Sequence, residues 1–451
     1  MRCWHACQLL LICGGIGGYS SIRGRMKNKD EYAPAGAMSA AQTPGVAAAV
    51  SVTTRRLASL FAVAVFINYV DRGNLATAAP LLRDELHFDA VQMGLLLSAF
   101  YWTYTPSQLL VGWASERFGV RWLLAAGVGL WSLATAFTGL AGSFASILLL
   151  RLLLGLGESV IFPCSSKVLS QTSTLKERGR ANAAIAIGLS LGPAVGTFAG
   201  GLLMAEYGWR MVFISFGLIS LLWIWPWLKT PAFEAPRSAT RDANSPRLLD
   251  ILSERSAWGA ALGHFCCNYA LYFVISWLPL YLVKERGFSM AEMAQLAGAI
   301  YVLQACGAML CGWMTDRAIA KGASGNRAYK TAFIVSGLGT AICFVGCAMG
   351  TAHVATGFLL AAGLLIGICT PAVFSAAQTM AGPLASGRWV GFQNFVGNLA
   401  GILAPILTGF IVKQTHLFAG AFVLAGAILG VGVFSWSVIV RKIAPVQWRV
   451  K

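Results

Sequence analysis

The chain contains a series of apolar windows, each long enough to cross the hydrocarbon core of a bilayer as a helix. Only 11% of its 451 residues are charged and 57% are hydrophobic, which is far outside the range of soluble proteins. We therefore predict an all-α polytopic membrane protein with about twelve transmembrane helices and no soluble catalytic domain. The windows fall at about 57–80, 89–111, 121–141, 144–168, 181–204, 209–228, 258–283, 290–314, 331–350, 355–380, 390–412 and 417–440.

The net charge of +17 follows the loops of this topology and forms no cluster that could bind nucleic acid. Basic residues concentrate in every second loop. From residue 55 onward, the few exceptions outside the membrane are Arg83, Arg210, Lys284, Arg286 and Lys413. By the positive-inside rule this asymmetry predicts that both termini lie in the cytoplasm, in a multi-pass protein of the plasma membrane, which in a bacterium is the inner membrane.

A polar segment divides the apolar windows into two sets of six. Residues 229–256 contain three prolines and scattered basic residues, as expected of a cytoplasmic linker. Residues 1–54 carry a short apolar run that resembles a signal peptide, and Met26 or Met38 is an alternative start, so this extension is left out of the fold prediction. The predicted organisation is an extension at 1–54, six-helix bundles at 55–228 and 257–440, the linker at 229–256 and a tail at 441–451.

The 11 cysteines lie mostly in or beside apolar windows, where a thiol behaves as a small hydrophobic group. No spacing typical of a metal site occurs among them. We therefore predict neither a disulfide framework nor a metal site, and no cofactor other than protons. The loops also lack a nucleophile and base pair, so an enzyme is not expected.

Ionised groups lie inside two of the apolar windows, where charge is costly and usually marks a transport pathway. Arg151 and Glu158 are seven residues apart, about two helical turns, and so leave the same face of their helix. Asp71 and Arg72 are adjacent in an earlier window, where their side chains diverge by about 100°. Two sets of buried acids and cations predict a site for an anion coupled to protons.

A short motif occurs once in each predicted bundle, at the end of its second helix. The sequence GWASER at Gly112–Arg117 returns as GWMTDR at Gly312–Arg317. The acidic and basic side chains can pair with a neighbouring helix end, so we expect Glu116, Arg117, Asp316 and Arg317 to act in gating. Ordinary solvated loop charges are the alternative.

The motif and the residues after it, Gly119 and Arg121, resemble the signature of the major facilitator superfamily, with Glu116 in place of the usual Asp. The resemblance extends from about residue 57 to 440. It implies the major facilitator fold, in which two pseudo-symmetric six-helix bundles enclose a substrate cavity at the middle of the membrane.

Four further segments resemble the anion:cation symporter branch of that superfamily, which includes hexonate, glucarate and sialin-like organic anion transporters. They are NYVDRGNLA from Asn68, the Arg151 and Glu158 pair, HFCCNYALYFVISWLPLYL from His264 and NFVGNLAGILAP from Asn394. The resemblance implies secondary active, proton-coupled import of a small organic anion such as a sugar acid, by a monomer in the lipid bilayer.

The same resemblance assigns roles to individual residues. Arg72 would hold the substrate carboxylate, for which a guanidinium offers a planar fork. Glu158 would carry the proton with Arg151 as its partner, and Asp71 would be a second protonation site, although a static salt bridge is the alternative. Further substrate-binding candidates are Tyr69, Tyr104, Asn394 and Asn398.

Some positions depart from the sugar-acid transporters of the branch. Leu189 stands where they have a glutamine, and Pro371, Val373 and Phe374 stand where they have hydroxyl groups and a tryptophan. Fewer hydrogen-bond donors leave an aromatic or apolar carboxylate as a competing substrate class. A proton/drug antiporter and a transporter-like anion sensor are the alternative functions, and the two cavity arginines argue against the export of cations.

Overall fold

The protein is described here from a computed structural model, which covers residues 44–117, 119–172, 175–230 and 246–448. These residues are almost entirely helical and include no strand. Residues 1–47 and 48–451 form separate units, and only the last few residues of the first unit are described. Most of the predicted extension at 1–54 and of the predicted linker at 229–256 lies outside the described residues.

The helices follow one another with short connections. In chain order they are α1 Pro44–Leu86, α2 Ala90–Arg117, α3 Val120–Thr138, α4 Phe144–Glu158, α5 Ile161–Thr172, α6 Leu175–Leu221, α7 Ile224–Leu228, α8 Leu248–Leu252, α9 Arg255–Leu280, α10 Met290–Ala320, α11 Gly325–Met349, α12 Ala352–Asn398, α13 Ala400–Thr415 and α14 Ala419–Phe434. Two π-helical turns, Tyr281–Glu285 and Ser435–Ile439, extend α9 and α14.

Nine helical stretches of the described chain are long and apolar enough to cross a membrane. One of them, Ile187–Leu228, covers two of the predicted windows because α6 turns at Gly208, where φ is 76°. The first two windows lie in α1 and α2, whose polar and charged residues lower their hydropathy. The prediction of an all-α polytopic fold with about twelve spans is confirmed.

Small residues bring the two predicted bundles into close contact along two seams. A Cβ added at Gly94 of α2 would lie 2.6 Å from the carbonyl oxygen of Pro405 in α13. Along the other seam, a Cβ added at Gly201 of α6 would lie 2.6 Å from the Cβ of Ala294 in α10. Contacts this close leave no room for a side chain larger than that of glycine. They bring the two bundles together at one end of the helices and so close that end.

Two ion pairs join the predicted bundles at that same end. Lys413 at the end of α13 lies 3.0 Å from Asp89, which precedes α2. Lys284 after α9 pairs with Asp84 near the end of α1. The backbone N–H of Gln92 and the Lys413 ammonium hold the pKa of the Asp89 carboxyl below its usual value.

One cysteine pair differs from the sequence prediction. Cys267 of α9 and Cys369 of α12 form a disulfide, so the expectation of no disulfide is wrong at this pair. The two residues are 102 positions apart, and they meet because α9 packs against α12. That packing between helices cannot be read from cysteine spacing along the chain.

Candidate functional site

A cavity of about 440 Å³ lies between α1, α2 and α6 on one side and α9, α10 and α12 on the other. This volume is within the range typical of small-molecule sites. Every residue that the sequence predicted to bind substrate lines this cavity, which brings together Tyr69, Arg72, Tyr104, Asn394 and Asn398.

Arg72 is the charged group at the wall of the cavity. Its side chain is 8% exposed and its Nη2 donates to Glu158 Oε2 over 3.0 Å. Its Nε donates to the same oxygen over 3.2 Å, and Nη2 also donates to Asn68 Oδ1, one turn earlier on α1. Glu158 itself is fully buried and does not line the cavity. Arg72 therefore stands between the acid and the cavity space.

Three aromatic rings surround the Arg72 guanidinium. Its Cζ lies 4.6 Å from the ring centroids of Tyr69, Phe100 and Tyr104. Phe100 and Tyr104 stack on each other, with centroids 4.9 Å apart. Cation–π contacts of this kind stabilise a guanidinium that has little water around it. The rings hold the arginine in place while leaving it open towards the cavity.

Glu158 has a different partner from the one that the resemblance implied. The ion pair forms with Arg72 of α1, and the described residues show none between Glu158 and Arg151. Arg151 lies over the ring of Phe100 at 5.4 Å, and its Nε and Nη1 have no hydrogen-bond partner among the described residues. The guanidinium that pairs with Glu158 therefore comes from another helix, α1.

Asp71 points away from Arg72, as the helical geometry predicted. Its carboxylate accepts hydrogen bonds from Ser220 Oγ over 3.1 Å and from Asn74 Nδ2 over 3.4 Å. It borders a separate, smaller pocket of about 170 Å³ between α1 and α6. Asp71 is 1% exposed and lies behind the cavity wall, so any effect on substrate must be indirect.

Polar groups from the second bundle line the cavity together with Asn394. Tyr272 of α9 donates to Asn398 Oδ1 over 2.7 Å, which fixes both side chains. His264 and Asn268 also line the cavity, and both pack against the bare backbone of Gly397. The His264 ring lies edge-on to Phe374, with centroids 5.7 Å apart.

Several polar residues that line the cavity were not predicted from the sequence. Tyr101 precedes the predicted Tyr104 by one turn and contacts Tyr272, with ring centroids 4.8 Å apart and ring planes inclined by 55°. Tyr301 and Gln304 are one turn apart in α10. Two polar residues one helical turn apart in an apolar window are the sequence signal that could have identified this pair. The other missed polar lining residues are Gln108, Thr197 and Thr370.

The predicted gating residues lie far along the helices from the cavity. The side chains of Glu116 and Arg117 lie outside the part of the chain that the structure describes. Asp316 and Arg317 are exposed, and the Arg317 guanidinium lies 5.4 Å from the ring of Trp313. Neither forms an ion pair with a described side chain, so their role in gating stays a prediction.

Known proteins resemble this chain along most of its length. The model of the Major Facilitator Superfamily matches residues 61–405. A hexuronate transporter of Bacillus subtilis is 32% identical over 84% of this chain and 92% of its own length. A probable L-galactonate transporter of Escherichia coli is 28% identical over 87% of this chain and 90% of its own length.

Solved structures share the fold at low sequence identity. A bacterial homologue of the human lysosomal transporter Spinster, in an inward-facing and occupied conformation, has a TM-score of 0.73. It is 17% identical, and the match covers 89% of this chain and 98% of that one. The nucleoside transporter NupG matches with a TM-score of 0.64 at 12% identity, over 86% of this chain and 99% of its own.

Proposed function

This chain belongs to the Major Facilitator Superfamily, and from that premise we propose that it imports a small organic anion by proton-coupled symport. Relatives named as hexuronate and galactonate transporters support an organic anion as the substrate. The observation that carries the proposal is the ion pair between Arg72 and Glu158 at the cavity wall. A single guanidinium there can serve either the protein's own acid or the acid of a substrate.

Glu158 competes with the substrate for Arg72. When Glu158 is ionised, its Oε2 accepts two hydrogen bonds from the guanidinium. A proton on Glu158 removes that charge and leaves Arg72 without an acidic partner in a poorly solvated place, which is costly. A carboxylate that enters the cavity then offers two oxygens to the planar fork of Arg72. Proton binding and substrate binding therefore favour each other.

Asp71 adds a second protonation site to this proposal. It lies on the same helix as Arg72 but faces Ser220, away from the cavity. A proton on Asp71 would remove a negative charge next to Arg72 in the chain, and would change the hydrogen bond to Ser220 that helps to hold α1 against α6. Asp71 would thereby couple protonation to the position of α1, without touching the substrate.

The transport cycle follows from the two predicted bundles and their closed end. Ion pairs and glycine seams close the end where α1 meets α2. We propose that this end faces outward and that both termini face the cytoplasm, in a monomer in the bacterial inner membrane. The bundles would rock about the cavity, so that substrate and proton enter from one side and leave on the other.

Replacement of Glu158 by glutamine tests the coupling. The amide mimics a protonated acid, so purified Glu158→Gln protein in vesicles should exchange labelled galactonate but fail to accumulate it in response to a pH gradient. Glu206, an exposed acid just before the turn at Gly208 of α6, offers a control, because Glu206→Gln should leave accumulation unchanged. Undiminished uphill uptake by Glu158→Gln would refute the proposed role of Glu158.

A further inference from the structure

The charges that line the cavity set the charge of the substrate. Among the described residues at its wall, Arg72 is the one permanent cation, and no carboxylate lines the cavity. The remaining polar groups are hydroxyls, amides and one imidazole. Five of them are tyrosines, namely Tyr69, Tyr101, Tyr104, Tyr272 and Tyr301.

The second bundle contributes only uncharged polar groups to this wall. Asn268, Gln304, Thr370 and Asn394 can donate and accept hydrogen bonds but cannot balance a negative charge. The ring of His264 packs against Phe374 and has no acidic neighbour among the described side chains that would stabilise a cationic form. The end of the cavity opposite Arg72 therefore suits hydroxyl groups.

Arg151 does not supply a second positive site for the substrate. It is 4% exposed and is absent from the cavity wall. The Phe100 ring, which contacts Arg72 at 4.6 Å, also lies 5.4 Å from the Arg151 guanidinium. Arg151 is therefore set back behind the ring of Phe100, where its charge offsets that of the buried Glu158.

We infer that the cavity selects a monocarboxylate with an uncharged, hydroxylated remainder and discriminates against dicarboxylates. This inference rests on the proposed function and narrows its substrate class. A second carboxylate would face amides and tyrosine hydroxyls without a cation, and an uncompensated charge loses more hydration than neutral hydrogen bonds return. A terminal hydroxyl at the same place finds donors and acceptors on Gln304 and Asn268.

Galactonate and galactarate make a matched pair of probes. They share six carbons and the same internal hydroxyls, and differ in whether the far end is an alcohol or a carboxylate. In exchange assays with purified protein in vesicles at neutral pH, galactonate should compete with labelled galactonate at least about 10-fold better than galactarate does. Equal or better competition by galactarate would overturn the inference, while the proposed transport of organic anions would stand. If neither acid binds, the inference fails, whereas the proposed function fails only if no organic anion is taken up.

A charge added to the second bundle should shift this preference. Gln304→Lys places a cation at the uncharged end, so galactarate should gain at least about 10-fold relative to galactonate. Gln304→Met is the matched control, because it keeps the chain length without the charge and should not favour galactarate. If Gln304→Lys fails to fold, the comparison of the two acids on the unsubstituted protein still decides the matter. A folded Gln304→Lys protein with an unchanged preference would contradict the inference.

Discussion

Arg72 recognises a carboxylate through its geometry as well as its charge. Its Nε and Nη2 both reach one oxygen of Glu158, and its plane is fixed by three surrounding aromatic rings. A lysine at this position would keep the charge but would lose the planar fork and much of the ring contact. The planar arrangement of donors therefore predicts that arginine and lysine are not equivalent here.

Arg72→Lys should weaken apparent affinity for galactonate by about 10-fold, and Arg72→Ala should abolish measurable binding. The measurement is the concentration dependence of galactonate exchange in vesicles. Arg83→Lys is a matched control, because Arg83 lies near the end of the same helix, away from the cavity wall. An Arg72→Ala protein that still concentrates galactonate would contradict the role assigned to the guanidinium.

Asp71 should affect proton coupling without affecting substrate binding. Its oxygens are bonded to Ser220 and Asn74, behind the cavity wall. We expect Asp71→Asn to retain galactonate exchange within about threefold and to lose accumulation driven by a pH gradient. Ser220→Ala removes a hydrogen bond and keeps the acid, so it should preserve accumulation. Loss of binding in Asp71→Asn would instead place Asp71 in the binding site.

The sequence allowed each charged residue of the site to be identified, but not how they pair. Charge inside an apolar window marked Arg72, Arg151 and Glu158 individually. The bond between Arg72 and Glu158 spans 86 residues and depends on how α1 and α4 are rotated about their axes. Spacing along one helix says nothing about that rotation, and the resemblance implied Arg151, on the same helix, as the partner. The contact between the Phe100 ring and Arg72 was missed for the same reason, since Phe100 comes from α2.

Helix packing explains why the fold could be predicted more fully than the contacts between bundles. Long apolar windows and Gly208 account for the helices and the sharp turn within α6. The seam between α2 and α13 depends on Gly94 meeting a carbonyl group more than 300 residues away, a match that no local pattern encodes. The disulfide between Cys267 and Cys369 was missed on the same grounds.

Gly94 should be required for closure of the end that carries the ion pairs. A side chain there would press on the Pro405 carbonyl oxygen, so Gly94→Leu should favour conformations that are open at this end. A cysteine at Gly73, which lines the cavity and has room for a side chain, should then react faster with an impermeant thiol reagent from that side. Gly391→Leu is the control, because nothing lies within 4 Å of its added Cβ. Equal labelling in both variants would contradict the proposed seal.

The ion pair of Asp89 and Lys413 should withstand mild acid. The pKa of the Asp89 carboxyl lies below its usual value because the backbone N–H of Gln92 and the Lys413 ammonium favour its charged form. The contribution of the pair is therefore complete above the ordinary range of an aspartate, and it is lost only as the pH falls through the lowered pKa. Because thiol reactivity itself falls with pH, the measurement is the ratio of Gly73→Cys labelling rates with and without Asp89→Asn, and this ratio should be the same at pH 7 and pH 5. A ratio that approaches one at pH 5 would show that the pair is more acid-sensitive than we expect.

Transport by the whole molecule requires the two predicted bundles to separate at the end that is closed here. Asp84 and Lys284 pair across the bundles, whereas Glu85 and Arg210 pair within the first bundle, 2.8 Å apart, at the same end. A short bifunctional maleimide between cysteines at Asp84 and Lys284 should therefore abolish galactonate exchange.

The same reagent between cysteines at Glu85 and Arg210 provides the matched control. It joins residues that move together, so exchange should continue at near the uncrosslinked rate. Galactonate binding to the protein locked through positions 84 and 284 should persist in detergent, because the lock leaves the opposite end of the cavity free. Continued exchange in the locked protein, with crosslinking shown to be complete, would mean that this end need not open, and alternating access between these bundles would be the wrong description of transport.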